Sequence, residues 1–339
     1  MMTQDRLDVV GLGNAIVDVI APVEDAFLGK HDLVKGAMML IDEARAESLY
    51  GALPPGRESS GGSAGNTVAG VAALGGRCGF IGRVRDDQLG AVYRHDMTAL
   101  GVQFPTKAAT DGPTTARCLI AVTPDAQRTM STYLGASQHL GPEDVEEAFI
   151  ASARYIYLEG YLWDPAAAKE AFRKAAAIAH KHGRQVALSL SDSFCVDRHR
   201  ADFLDPIEAE VDILFANEAE LKSLYEVDDF DTALQLARKV TKIAALTRSE
   251  KGSVILAGDE VHVIDAEKVE RVVDTTGAGD LYAAGFLSGL IDGAPLPLCG
   301  RRGAIAAAEV ISHFGARPEA DLKALVAAKA GRSPTYSHG

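Results

Sequence analysis

Late in the chain stands Asp274-Thr275-Thr276-Gly277-Ala278-Gly279-Asp280, followed by the apolar stretch Leu281–Leu290. Gly277 and Gly279 keep this turn free of Cβ atoms, so its backbone amides can point together at an anion. The apolar stretch reads as a helix, whose start adds unpaired N–H groups and a positive dipole end. Asp280 stands where a carboxylate can take a proton from a hydroxyl that attacks a bound phosphate. An acidic first-turn residue also stabilises a helix start with no chemistry involved. For an isolated Gly-x-Gly-Asp the two readings would be level; the full string favours the chemical one.

Other motifs fail on their context. Gly11-Leu12-Gly13 follows a strand, but Ile16 stands where a dinucleotide fingerprint needs its third glycine. No Gly-x-x-x-x-Gly-Lys-Ser/Thr occurs, which excludes a P-loop enzyme. Gly61-x-Ser63-x-Gly65 has the letters of a hydrolase nucleophile elbow, yet Pro54-Pro55-Gly56-Arg57-Glu58-Ser59 precedes it instead of an apolar strand. The nine histidines show no HxxxH or HExxH spacing.

Positioning the glycine turn requires a sheet and helices. Leu7–Gly11, Ala15–Pro22 and Ala37–Ile41 read as short strands, and Asp42 as the N-cap of a helix over Glu43–Tyr50. Asn66–Leu74 reads as a helix stopped by Gly75-Gly76, Gly79–Val84 as a strand and Asp87–Leu100 as a helix. Arg117–Val122 and Thr129–Leu134 flank Thr123-Pro124-Asp125 and read as a β-hairpin. From Pro142 onward, the helices Pro165–His182 and Thr232–Val240 alternate with the strands Tyr155–Leu158, Val186–Leu190, Ile213–Ala216, Ile243–Thr247 and Val254–Leu256. That rhythm implies a mostly parallel sheet with helices on both faces. The earlier hairpin-like segments break it and suggest a small β-sheet lid, from about 14–42 and 105–135, inserted in a single domain over 1–330. Residues 331–339 read as a loose tail.

The chain has 339 residues, 47% apolar and 24% charged, with a net charge of −13. That surface argues against nucleic acid or an anionic membrane as partner, but not against an anionic substrate in a local pocket. Cys78, Cys118, Cys195 and Cys299 lie far apart without a CxxC pair, so neither zinc nor a disulfide framework is indicated. No apolar run is long enough for a membrane span and the start has no signal-peptide pattern; a cytoplasmic protein is expected, monomeric or homodimeric.

Asp274–Asp280 resembles the signature of the ribokinase-like carbohydrate kinases, the PfkB family. Gly61-Gly62-Ser63-Ala64-Gly65-Asn66 resembles that family's N-terminal substrate motif, and Asn14–Asp18 and Asn217–Glu220 also match family positions in the expected order. The sequence is most similar to the adenosine kinase branch, notably in Gly13-Asn14…Asp18 and Leu214–Glu218. The resemblance implies a three-layer α/β/α sandwich with a β-sheet lid, ATP as co-substrate and Mg²⁺ as its metal. It implies that Asn14, Asp18, Gly62, Ser63 and Asn66 bind the sugar. A carboxylate beside carboxamides suits a vicinal diol. By the same resemblance, Thr276, Gly277, Ala278 and Gly279 form the anion hole, Asp280 is the base, and Glu220 orders Mg²⁺ through water beside Asn217. Taken alone, Asn217–Glu220 reads as a helix cap. Thr247, Ser249 and Gly252 fall on the family's Thr-x-Gly-x-x-Gly nucleotide loop, with Ser249 replacing the middle glycine. Arg248 or Lys251 can supply a phosphate contact there; a solvated charged loop is the alternative reading. Tyr161 and Phe194 fall near residues that flank the base in adenosine kinases, and Met38 and Met39 lie on the lid. Asp274, with the Gly315-Ala316-Arg317-Pro318 loop, is the candidate K⁺ site, although Glu319 replaces the family's small hydroxyl residue.

The expectation is an ATP-dependent kinase acting on the 5′-hydroxyl of a nucleoside, with adenosine first. A free-sugar kinase for ribose or fructose is the alternative within the family. A catalytically idle nucleoside or nucleotide sensor is the alternative outside it, and a sensor has no need of Asp280.

Overall fold

A computed structural model describes residues 6–331. Of the expected tail, 331–339, residues 332–339 lie outside the described residues. The described strands are β1 Val9–Leu12, β2 Ile16–Pro22, β3 Met38–Leu40, β4 Arg57–Ser60, β5 Cys78–Ile81, β6 Ala116–Val122, β7 Arg128–Tyr133, β8 Tyr155–Glu159, β9 Gln185–Ser189, β10 Ile213–Asn217, β11 Ile243–Thr247, β12 Ser253–Ala257 and β13 Glu260–Ile264.

Eight of them form the main sheet, in the order β13-β12-β11-β10-β9-β8-β1-β5. From β5 to β11 every pairing is parallel; only β12 runs against the rest, pairing antiparallel with β11 and β13. Apart from the exposed edge strand β13, the strands are nearly continuous apolar runs because both faces are buried. Alternation sorts their side chains. Val9, Tyr157, Ala187 and Phe215 go to one core with the helices Ser63–Ala73, Ala278–Ile291 and Leu296–Val310. Val10, Ile156, Leu188 and Leu214 go to the other core with Ala166–Lys181 and Phe230–Val240. The result is the three-layer α/β/α sandwich expected from the strand–helix rhythm.

The parallel register brings Leu12 level with Leu158, Glu159 with Ser189, and Asn217 with Thr247. The carboxyl ends of these strands therefore share one edge, where ligands bind in open α/β sheets.

The remaining strands form a second sheet, β3-β7-β6-β2-β4, and β6 and β7 are the expected antiparallel hairpin. It includes β4, which lies outside the segments 14–42 and 105–135 and whose polar sequence, Arg57-Glu58-Ser59-Ser60, gave no strand signal. Across four strands, Asp18, Cys118, Thr132 and Leu40 fall in one register row, so their side chains share one face. Helix starts shift as well. Asp42 caps as expected, accepting from Arg45 N, and Asp87, read as a helical residue, is likewise an N-cap, accepting from Gly90 N. The Asn66–Leu74 helix, however, begins at Ser63, and the Leu281–Leu290 helix at Ala278. Asp280 therefore sits in the first turn of its helix. No helix among the described residues is long and apolar enough to cross a membrane.

Candidate active site

A cleft of about 1490 Å³ lies between the carboxyl edge of the main sheet and the second sheet. The structure brings to it Asn14, Asp18, Gly62, Ser63, Asn66, Tyr161 and Phe194 from the acceptor side. From the nucleotide side come Asn217, Glu220, Thr247, Ser249, Gly252 and the turn Thr276–Asp280. Of the residues singled out in the sequence, Asp274, Met39, Arg248 and the Gly315-Ala316-Arg317-Pro318 loop do not line it.

Asp280 joins the two sides. Its Oδ1 accepts from Ser63 Oγ at 2.7 Å and its Oδ2 from Asn66 Nδ2 at 3.0 Å. Burial raises its pKa above the usual aspartate value; these two hydrogen bonds and the Arg317 charge pull the other way. Asn66 Oδ1 is buried and has no partner, an acceptor left open beside the proposed base. Asp18 projects from β2, and burial pushes it up to about 6 against the charges of Arg317 and Arg128. Gly62 holds the approach between these groups: its φ is +81°, and a Cβ there would lie 2.2 Å from Asn14 O.

Beneath this turn lies Glu159, at the end of β8 and fully buried. One of its oxygens accepts from Asn14 N at 2.6 Å, the other from Ala64 N at 2.8 Å. Burial pushes its pKa to about 7, with the two backbone bonds opposing. It thus ties together the two acceptor loops, which are far apart in sequence. Tyr161 lies in the short turn Gly160–Trp163 and Phe194 in the first turn of the helix Ser193–Ala209, with Phe194 73% exposed at the rim.

On the nucleotide side, Gly277 caps the Ala278–Ile291 helix with φ +77°, and a Cβ there would come within 2.7 Å of Ala316 Cβ. Of the four residues expected to form an anion hole, two have their amides already engaged. Thr276 N is committed to Asp274 Oδ1 at 3.0 Å and Ala278 N to Thr275 O at 3.2 Å. The amides of Gly277, Gly279 and Asp280 are left without partners among the described residues. Ser249 adopts a left-handed φ of +53°, so a serine takes the backbone shape that the family's glycine would favour. Arg248 turns away, bonding Glu218 Oε2 at 3.1 Å and stacking on Phe230 at 4.2 Å, whereas Lys251 lines the cleft.

Asn217 and Glu220 form a complete capping box. Asn217 N donates to Glu220 at 2.9 Å, and Glu220 N to Asn217 Oδ1 at 2.9 Å. Both face the cleft nonetheless, and burial pushes Glu220 up to about 7, with Asp192 and Asp280 adding repulsion. No cluster of three or more His, Cys, Asp or Glu among the described residues could hold a resident metal. A lone carboxylate with a carboxamide fits instead an Mg²⁺ that arrives with phosphates and keeps its waters. Asp274 is different. Its Oδ1 accepts from Thr276 N, and its Oδ2 accepts from Gly315 N at 2.9 Å and from Arg128. Both oxygens thus accept N–H donors from within the protein, and the Arg128 guanidinium brings its positive charge to Asp274.

Three functional neighbours escaped the sequence reading. Glu159 stands one residue beyond the expected end of its strand; a carboxylate closing a fully apolar run was the available signal. Arg128 reaches from β7 to Asp274 and to Thr276 Oγ1 at 3.0 Å, yet in sequence it is an ordinary charged hairpin residue. Arg317 stands in the sequence only as a member of the Gly315-Ala316-Arg317-Pro318 loop, yet its guanidinium reaches Ser60 and Gly65. The helix Leu296–Val310 also went unread, and its Ala304, Ala307 and Ala308 line the nucleotide side.

Residues 37–322 match the model of the pfkB family carbohydrate kinases. Among solved structures, an adenosine kinase from Sinorhizobium meliloti is 52% identical with a TM-score of 0.88, covering 95% of this chain and 99% of its own. A probable sugar kinase from Rhizobium etli CFN 42 is 51% identical with a TM-score of 0.88, covering 96% and 99%. An ATP-dependent ribose-1-phosphate kinase from Halopiger xanaduensis is 32% identical over 240 residues, 68% of this chain and 73% of that one. The glycine turn, the three-layer fold and these likenesses converge: the chain belongs to the pfkB family of carbohydrate kinases and is a phosphotransferase that uses an alcohol group as acceptor.

Proposed function

We propose that this kinase transfers the γ-phosphoryl group of ATP to the 5′-hydroxyl of a nucleoside, adenosine foremost. The observation that carries the reading is Asp280, held by Ser63 and Asn66 of the acceptor turn and standing among the partner-free amides of its own helix start. Asp18, Asn14 and the open Oδ1 of Asn66 are set to receive ribose hydroxyls. Beyond them the cleft wall turns apolar, with Met38, Leu40, Met130, Tyr161 and Phe194, a lining that suits a flat base rather than a bare sugar.

In this reading Asp280 takes the hydroxyl proton as the oxygen attacks. The amides of Gly277, Gly279 and Asp280 receive the negative charge of the transferred group. Little covalent work falls to the protein, so its contribution is placement and charge neutralisation. Asn217 and Glu220 would hold, through waters, the Mg²⁺ that accompanies ATP and offsets its phosphate charge. The second sheet acts as a lid that excludes water, and Arg128 links it to the anion loop. The likeness to an adenosine kinase at 52% identity supports the nucleoside.

The deciding experiment offers adenosine, other nucleosides, ribose, fructose and ribose 1-phosphate in parallel with ATP and Mg²⁺. Adenosine should exceed free ribose in kcat/KM by at least about a hundredfold, the worth of a buried, stacked base. A preference for ribose, fructose or ribose 1-phosphate would replace the nucleoside with that acceptor.

A further inference from the structure

We infer that Arg317 is a positioning residue that clamps the acceptor turn against the loop behind the anion-binding amides, fixing where the acceptor hydroxyl meets Asp280. The inference rests on the kinase reading above and deepens it.

The turn Gly61–Gly65 has hardly any side chain of its own with which to hold a position, yet Ser63 and the following Asn66 must present Asp280 at hydrogen-bond distance. Its placement comes from outside. Ser60 N is held by Asp96 at 2.8 Å, Gly61 O by the Tyr93 hydroxyl at 3.3 Å, and Ala64 N by Glu159. Arg317 makes the most extensive of these contacts. Its Nε and Nη2 donate to Ser60 O at 3.1 and 2.8 Å, Nη2 also to Ser60 Oγ at 3.0 Å, and Nη1 to Gly65 O at 2.8 Å. One guanidinium thereby grips the turn at both ends, a task for a planar fork of donors that a lysine ammonium cannot reproduce.

The other end of the clamp lies in the nucleotide half. Arg317 directly follows Ala316, the residue against which Gly277 is fitted so closely that a Cβ has no room. A single short stretch therefore abuts the amide loop through Ala316 and the acceptor turn through Arg317. The guanidinium also brings a positive charge among Asp18, Asp280, Asp96 and Tyr93, opposing the burial that favours protonated Asp18 and Asp280.

The test compares Arg317→Gln and Arg317→Lys with wild type in the ATP assay, measuring kcat, both KM values, the pH profile and Tm. For Arg317→Gln, kcat should fall at least about tenfold and the acceptor KM rise about tenfold, with the ATP KM within about twofold of wild type. The acid limb of kcat should move to higher pH, because Asp280 loses a nearby positive charge. Arg317→Lys should restore the pH limb but not the acceptor KM. Unchanged acceptor KM and kcat would overturn the inference. So would equal rises in both KM values that track a loss of Tm, since that is general structural damage. If Arg317→Gln does not fold, Arg317→Lys decides through the same split of KM values. Should wild type prefer a free sugar, the comparison is made with that sugar and the inference stands or falls unaltered. If wild type transfers phosphate to no acceptor, the kinase reading fails. Calorimetric binding of adenosine to Arg317→Lys and wild type then judges the clamp, with equal affinities counting against it.

Discussion

The two halves of the cleft are built from different materials. The acceptor half is a wired network of side chains: Glu159, Asn66, Ser63 and Arg317 hold the backbone or Asp280 over large sequence separations. The nucleotide half relies on backbone and small residues, with partner-free amides at a helix start, a left-handed Ser249 and an alanine-lined wall. The difference follows from what each half binds. A sugar is distinguished by the directions of its hydroxyls, which demands fixed donors and acceptors. A polyphosphate presents diffuse charge, which amides and a helix dipole meet without side chains. Side-chain substitutions should therefore damage acceptor use selectively, while the nucleotide half should tolerate most of them.

The largest effect is expected where the halves meet. Asp280→Asn preserves shape and removes the proton acceptor; kcat should fall by at least about a hundredfold with both KM values little changed. Near-normal turnover would sink the assignment of Asp280 as base. The pH dependence follows from the same burial. Asp18 takes up a proton at about 6 as pH falls, and Asp280 also above its ordinary range, so both lose their accepting form early on the acid side. Wild-type kcat/KM for the acceptor should accordingly decline below about pH 6. A profile flat down to the ordinary carboxylate range would contradict this.

A smaller effect probes the exception on the nucleotide side, a half otherwise poor in side-chain contacts. Glu220→Gln keeps much of the Asn217 box but removes the negative charge. The Mg²⁺ concentration for half-maximal rate should rise about twentyfold or more, with the acceptor KM unchanged. A rise in acceptor KM instead would mean that Glu220 belongs to the acceptor network and that the contrast between the halves is drawn in the wrong place.

The same contrast explains what the sequence made legible. The nucleotide half could be read because its chemistry is local: glycines, a helix start and a carboxylate occupy consecutive positions, and Asp274–Asp280 states them outright. The main sheet was legible for a similar reason, since buried parallel strands are short apolar runs between helices. The acceptor half depends on long-range partners. Glu159 lies 145 positions from Asn14, and Arg317 lies 257 from Ser60, so nothing near either residue announces the contact. The edge strand β4 was missed because a polar strand carries no periodic apolar signal, and the helix at Ser63 because Gly61-Gly62 reads first as a loop. The use of Thr276 N by Asp274 is invisible too, since a motif says which amides are present but not which are already bonded.

The smallest expected effect concerns the rim of the acceptor half, where the wiring stops. Phe194 follows the N-cap Asp192, lines the cleft and is 73% exposed. An aromatic so open to water gains most by covering itself against a flat ligand. Phe194→Ala should raise the KM for adenosine about tenfold, at the lower end of what losing one stacking partner costs, because part of the ring remains in water even when covered. Use of free ribose, which has no base to cover the ring, should be unaffected, and so should the ATP KM. This pairing of substrates separates stacking from structural damage, since a disturbed Ser193–Ala209 helix would impair both acceptors alike. Equal losses with adenosine and ribose would remove Phe194 from the base slot. An unchanged adenosine KM would leave Tyr161 and the methionines of the second sheet to account for base recognition.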